Sequence, residues 1–520
     1  RSSNVFLKLK NAKALKEYLD DAKLSIEEGV SMNNLEGILS KNIECYFHED
    51  SGKDYTYAHL TFYEMESEIT SEQAAISKIE TGISLGGMIS GVPSSKYGHK
   101  YRTGFGAKYA DQTSLIQMAS KYNALIQVGS TGNPYHQDIG ISTQIDTLAE
   151  KKMDHIYDSS NWVVFIDPKV DLDFFSEKTV DSNLLIIHYS DQYTTSSGYD
   201  AITVTEKSYQ YTMVIQEFLK EKGHHASIDE IHNIINLFNA INGSWLLRLI
   251  SSKKGIGKSY FGREKISIVA AIKFMLAFLK HPNLVWVPVS LEELLRVSKG
   301  AGLSQGDGLL SAKNLGFEKG PASDDLLFIG IDYTTDVLRI YLYPVEVKTG
   351  NNEQTVLKKA VAQVSATASG FATALYPAEN IIKTLPYKIN RNFLMQLLIT
   401  SCKKMAVYHV DDTQDWTQVL DRCRCCLLNE AYVISTDLQE VLGIGAVLSF
   451  RKRTFSRKSS FYEGGIQVIE MPEADEFELM LDRVGEIYDK IHAQENELVN
   501  LETINLLNLK GDLSKVHAPV

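Results

Sequence analysis

The sequence predicts an α/β protein with two lobes, a mixed-sheet N-terminal lobe followed by a second α/β core. Three observations carry that reading. Apolar residues make up 44% and charged residues 23% of the 520, a globular balance with ample core and length for several domains. Short runs of β-branched and aromatic residues alternate with longer stretches of helical period. Two such runs, Ser323–Asp332 and Val337–Lys348, flank the polar break Tyr333-Thr334-Thr335-Asp336 in the manner of a β-hairpin. The divisions expected are a helical segment over 1–54, an α/β lobe over 55–280, the core over 281–472, and a closing helix with linker over 473–520.

Taken in order, residues 7–40 read as helical and Tyr57–Tyr63 as a strand. A Gly-rich stretch then leads into Ser94–Lys108, where Lys100 and Arg102 interleave with Tyr97, Tyr101 and Phe105. Basic groups on such a loop can track a nucleic-acid backbone while the rings stack, and the same pattern suits a solvent loop over packed tyrosines. Trp162–Asp167 is a buried strand ending in an acid, superficially like the Walker B strand of an ATPase. That reading needs a P-loop upstream. The nearest imitation, Ser252–Ser259, has Ser at the first glycine position, lies downstream and follows the helical pattern of 234–250. An ATP-driven translocase is therefore disfavoured, and Lys253, Lys254, Lys258, Arg263 and Lys265 read as a basic loop. Leu184–Ser190 and Ala201–Thr205 read as strands, and Tyr209–Lys222 as a helix.

In the core, Ser290–Val297 reads as a Ser-capped helix ahead of the hairpin. The second strand of the hairpin carries Glu346-Val347-Lys348, and residues two apart on a strand share a face. Asp325 opens the first strand, with Asp324 beside it as a competitor. Asp325 and Glu346 offer hard oxygen ligands for Mg²⁺ or Mn²⁺, which would activate water and screen a phosphate. Lys348 would orient that water or stabilise charge developing on the phosphate oxygens. Glu353–Val364 reads as an amphipathic helix and Ile389–Ile399 as another. Ala446–Phe450 and Gly465–Met471 read as a hairpin bracketing Arg451, Lys452, Arg453, Arg457 and Lys458, five cations in eight residues with no acid in the run. That loop is expected to bind phosphates. Pro472–Asp475 caps a closing helix with acids at its positive end.

Net charge is −12, so any DNA binding must use local basic patches such as these. Of the five cysteines, the Cys423-Arg424-Cys425-Cys426 cluster lacks zinc-site spacing. Reduced thiols and a cytoplasmic location are the expectation. No apolar run approaches the roughly 20 residues of a membrane helix, and the start lacks a signal-peptide layout. The chain reads as a segment of a longer polypeptide.

The order helix, strand with Asp325, strand with Glu346-Val347-Lys348, helix with Gln363 resembles the PD-(D/E)xK nuclease superfamily, with a separation 346 − 325 = 21 and no Pro before the aspartate. The resemblance implies a restriction-endonuclease-like core in which Asp325, Glu346 and Lys348 are catalytic and Glu293 and Gln363 accessory. Four phrases narrow it: Asn161–Leu172, His188–Tyr193, Trp286–Glu293 and Tyr343–Lys348 resemble the DptH (DndH) family, the large subunit of bacterial phosphorothioation-dependent DNA restriction. This implies a complex with DptF and DptG subunits that damages unmodified double-stranded DNA. It also implies an ATPase segment elsewhere in such proteins. The alternative within the same complex is a nuclease-dead module that binds DNA and scaffolds its partners.

Overall fold

A computed structural model of the chain describes residues 57–63, 67–73, 93–96, 99–102, 139–145, 155–166, 185–187, 201–243, 245–246, 249, 260–292, 294, 326–333, 337–376, 385–411, 413–428, 431–462 and 464–492, with 31 and 34 alone before them. The chain divides into two units, Arg1–Thr56 and Tyr57–Val520. In the first, the amide of Asn34 donates to Ser31 Oγ at 3.2 Å, as at a helix start.

The second unit is α/β with mixed sheets. One sheet has the order β1 (Ala58–Tyr63), β6 (Ser160–Ile166), β8 (Ala201–Thr205), β7 (Leu185–Ile187), with β1 and β6 parallel and the other pairs antiparallel. A second has the order β2 (Ser67–Gln73), β5 (Ile139–Ile145), β3 (Pro93–Lys96), β4 (His99–Arg102). The expected strands at 57–63, 162–167, 184–190 and 201–205 are present, the third shorter than read. Helices α1 (Tyr209–Glu221) and α2 (Ile228–Asn242) follow. A capping box starts α2: Ser227 Oγ accepts from the Glu230 amide at 3.2 Å, and the Ser227 amide donates to Glu230 Oε2 at 2.6 Å. Helix α3 (Tyr260–Phe278) comes next and is buried along nearly all of Ile266–Phe278.

The central sheet has seven strands. Three of them, β9 (Leu284–Ser290), β10 (Leu326–Asp332) and β11 (Leu338–Gly350), form an antiparallel meander. The hairpin read from the sequence is thus present. Gly330 of β10 sits opposite Trp286, and a Cβ there would lie 2.9 Å from the indole, so glycine leaves room for the ring.

Helix α4 (Gln354–Leu375) then crosses over, followed by α5 (Leu385–Val407), α6 (Trp416–Leu428), β12 (Tyr432–Ile434) and the single turn α7 (Gln439–Leu442). Strand β13 (Gly445–Arg451) runs parallel to β11, then β14 (Lys458–Tyr462), β15 (Ile466–Pro472), α8 (Glu473–Leu481) and α9 (Val484–His492) complete the described chain. The sheet order is β14-β15-β13-β11-β10-β9, with β12 also paired to β11. Leu357, Ala360 and Val364 of α4 pack on Val447, Ile466 and Val468.

Helix α3 owes its burial to α2, β11, α8 and α9, which enclose it. Its Lys273 reaches the end of α8, donating to the carbonyls of Met480 at 2.6 Å and Asp482 at 3.0 Å. A cation there satisfies orphan carbonyls at a helix C-terminus. Burial holds its pKa down at about 8. The division expected near residue 280 falls between α3 and β9, although α3 packs on elements from beyond it.

Two expectations need amending. The helix read after Ser290 does follow it, with Leu291, Glu292 and Leu294 helical, but the sequence does not show that Ser290 is also the buried last residue of a strand, β9. Pro288 hides this strand, because proline cannot donate to a ladder. It is tolerated because, among the described residues, β9 is the sheet edge, where one row of amides has no partner strand. Nor do Ala446–Phe450 and Gly465–Met471 form a hairpin. β13 and β15 are parallel, and β14 is the antiparallel partner of β15. Among the described residues no helix is long and apolar enough to cross a membrane.

Candidate functional site

Strand β11 forks the sheet. Its first residues pair with β12, its last six, Val345–Gly350, with β13, and Pro344 falls between the two ladders, where its missing amide leaves no gap in either. Glu346 and Lys348 therefore lie where β11 runs between β10 and β13. Beyond them Asn352, at φ +41, ties the strand end down. Its Nδ2 donates to Lys348 O at 3.1 Å, Ser449 Oγ at 2.8 Å and Phe450 O at 3.0 Å.

Glu346 is buried at 1% exposure, and Lys348 keeps 19% of its side chain open. Lys348 Nζ donates to Glu346 Oε1, so the two side chains meet as the strand period requires. Glu346 Oε2 is buried with no hydrogen-bond partner. Burial pushes the carboxyl up to about 7, against the opposing pull of Lys348, with Glu264 adding a further push upward. Lys359 on α4 also favours its charged form.

A cavity of about 380 Å³ opens beside Lys348, lined also by Glu264, Ser267, Thr349, Asn352 and Glu353. Glu264, on α3, was not singled out by the sequence, because it sits in a stretch read as basic. Burial raises its pKa, Lys265 and Lys348 oppose this, and Glu292 reinforces it. Below the cavity Glu476 accepts from Ser267 Oγ at 2.9 Å and Thr349 Oγ1 at 3.1 Å, joining α8, α3 and β11. Burial pushes Glu476 up to about 7.

Asp325 and its competitor Asp324 lie outside the described residues. Leu326, the next residue, pairs with Val345, the residue before Glu346. Glu293 also lies outside them. Its neighbour Glu292 accepts from Trp245 Nε1 at 3.0 Å and stands 3.5 Å from Lys265 Nζ. Lys265, read as part of a basic loop, is buried at 3% with its amine 4.3 Å from the centre of the Trp245 ring. Gln363 is half-buried on α4, one turn beyond Lys359, with a buried Oε1 that has no hydrogen-bond partner. Among the described residues no three His, Cys, Asp or Glu side chains converge as a metal cage.

The basic segment joins β13 to β14, and its Lys452 amide donates to Gly350 O at 2.8 Å, two residues past Lys348. Acids from other elements answer part of its charge. Arg451 Nη1 meets Glu470 Oε2 at 2.5 Å, and Arg457 grips Asp475 with Nε–Oδ2 at 2.7 Å and Nη2–Oδ1 at 3.0 Å. Lys452 stands 3.6 Å from Glu473. Arg453 and Lys458 are exposed and have no ion-pair partner among the described residues. Lys100 and Arg102 lie on β4, opposite Ser95 and Pro93 of β3, so that stretch is a strand pair rather than a Gly-rich loop, and their side chains are outside the described ones.

No family model, curated protein or solved structure matches the chain.

Proposed function

We propose that the chain is a metal-dependent endodeoxyribonuclease of PD-(D/E)xK type. It would nick or cleave unmodified double-stranded DNA within a phosphorothioation-dependent restriction complex, with DptF- and DptG-like subunits as companions. The observation that carries this is the buried Glu346–Lys348 pair beside an open cavity, with one carboxylate oxygen left without a partner. The order α3-β9-β10-β11-α4 supports it, because a helix precedes the three-stranded meander and another follows the strand bearing the pair; after α5, α6, β12 and α7 the chain reaches β13, which runs parallel to that strand.

The residues fit a hard cation. A buried carboxylate oxygen with no hydrogen bond is costly until a proton or an ion satisfies it, and Mg²⁺ and Mn²⁺ take such oxygens. Glu346 and Asp325 would hold the ion, which when bound supplies an acidified water and screening of the phosphate. Lys348 lines the cavity, its ammonium bonded to Glu346, and would stabilise charge on the non-bridging oxygens as water attacks phosphorus and the sugar oxygen departs. Glu264 lines the same cavity with its pKa raised by burial, and would accept a proton from the attacking water.

The test is nicking of supercoiled plasmid by the full chain with Mg²⁺ or Mn²⁺. Lys348→Ala is expected to slow it by at least about 10²-fold with the far-UV circular dichroism unchanged. Undiminished nicking by folded Lys348→Ala protein overturns the assignment. Metal-independent DNA binding without cleavage by the wild type transfers the reading to a DNA-binding scaffold.

Binding itself should depend on Arg453 and Lys458. Neutralising both is expected to flatten log K against log salt by up to ~0.9 for each phosphate they had neutralised, equally on all sequences. Fluorescence anisotropy over a salt series reads this. Arg451 and Arg457 are unsuitable for that test. Removing them strands Glu470 and Asp475, whose side chains are only 7% and 8% exposed, and unpaired buried carboxylates destabilise the fold.

A further inference from the structure

Phe455 stands at 98% exposure, whereas the next most exposed large apolar side chain among the described residues, Ile228, is at 61%. A ring left almost wholly in water forfeits the stabilisation its burial would supply; on the strands of the central sheet Phe328 and Phe450 are fully buried and Phe461 is only half as exposed, at 47%. The residue sits midway along the segment that joins β13 to β14, and that segment is held at both ends. Before it, the Lys452 amide binds Gly350 O and Arg451 binds Glu470; after it, Arg457 grips Asp475 through two hydrogen bonds. Arg453 turns the chain at φ +58 between these anchors, and the exposed cations Arg453, Arg457 and Lys458 flank the ring in the chain.

We infer that Phe455 is a stacking platform for an unpaired DNA base, which makes single-stranded or locally opened DNA the preferred substrate class of the site. The inference rests on the DNA reading given above. Three features favour it. Every base has a π-face on which an aromatic ring stacks without regard to sequence, and neighbouring cations hold the backbone that carries the base. A tethered loop loses little further freedom when the ring engages, so stacking is not offset by ordering a mobile segment. The loop leaves β13 at Arg451, which pairs with Gly350 at the end of β11, two residues beyond Lys348, so a base stacked on Phe455 would belong to the strand passing the cavity. In a closed duplex the bases already stack on each other, and the ring gains only backbone proximity.

The experiment measures binding by the full chain in EDTA, which separates stacking from cleavage. The probes are a single-stranded oligonucleotide, the blunt duplex of the same sequence and that duplex with a short gap. Phe455→Ala is expected to bind the single-stranded and gapped probes about tenfold more weakly, with the blunt duplex unchanged. Phe455→Trp is expected to retain affinity, with its indole emission quenched by the single strand. Equal loss on all three probes, or no loss on any, overturns the proposal. Phe455-dependent binding to anionic phospholipid vesicles with no binding to DNA overturns it in favour of a membrane surface. Phe455-dependent DNA binding by a chain that cleaves nothing supports it while sinking the nuclease reading.

Discussion

Glu346→Gln is expected to abolish nicking and at the same time to stabilise the metal-free protein at pH 8. The carboxyl is held near 7 instead of 4.5 chiefly by burial, so ionising it in the folded state costs about 3 kcal/mol. Between those two values the folded chain binds more protons than the unfolded one, and stability falls as pH rises through the window, then stays flat above it. The neutral amide removes this loss. Its advantage over the wild type should reach about 3 kcal/mol at pH 8 and disappear near pH 4. Glu476, also pushed to about 7, adds a loss of the same sign in both proteins, which is why the difference between them is the readout. Saturating Mg²⁺ or Mn²⁺ should raise the thermal midpoint of the wild type and leave Glu346→Gln unmoved, because only the carboxylate gains a ligand. Equal midpoints at pH 8 in EDTA, or equal metal shifts, would remove Glu346 from the ion site. A buried charge that destabilises the resting fold is the kind of group a site keeps for its chemistry.

What could be read from the sequence, and what could not, follows from the range of the interactions. The hairpin of β10 and β11 and the shared face of Glu346 and Lys348 depend on strand period alone, which local sequence states outright. The acids opening α8 were legible for the same reason. Helix α3 was not. Enclosed on most sides, Ile266–Phe278 has lost the polar face that gives a surface helix its period. Its Lys265 then read as part of a basic loop, although Trp245 and Glu292 bury and satisfy it. Glu264 was hidden with that helix. The basic loop was legible as charge, but the partners of Arg451 and Arg457 come from 19 and 18 residues further along, across a strand pairing that local sequence does not specify.

The parallel placement of β13 depends on Gly443, and Gly443→Ala should cost on the order of 4 kcal/mol or more and remove activity with it. This residue follows α7 at φ +78, and an added Cβ would lie 2.0 Å from Gly465 O and 2.9 Å from its carbonyl carbon. Both are backbone atoms, so no side-chain rotation relieves the clash. Gly465 O also accepts from the Ile444 amide at 2.8 Å, the bond that sets β13 beside β15. Separating them shifts the strand whose Val447 pairs with Glu346 and whose Ser449 receives Asn352. Gly464→Ala is the control. Its φ of +93 carries a similar backbone strain of roughly 1–3 kcal/mol, but nothing lies within 4 Å of the added methyl. Urea unfolding of the two variants should therefore differ by the clash alone, with Gly443→Ala much the weaker and Gly464→Ala still able to nick. Equal destabilisation would mean that β13 and β15 can separate at that point without loss, and the register that places Glu346 beside β13 would have to be maintained by the α4 packing on Val447 instead.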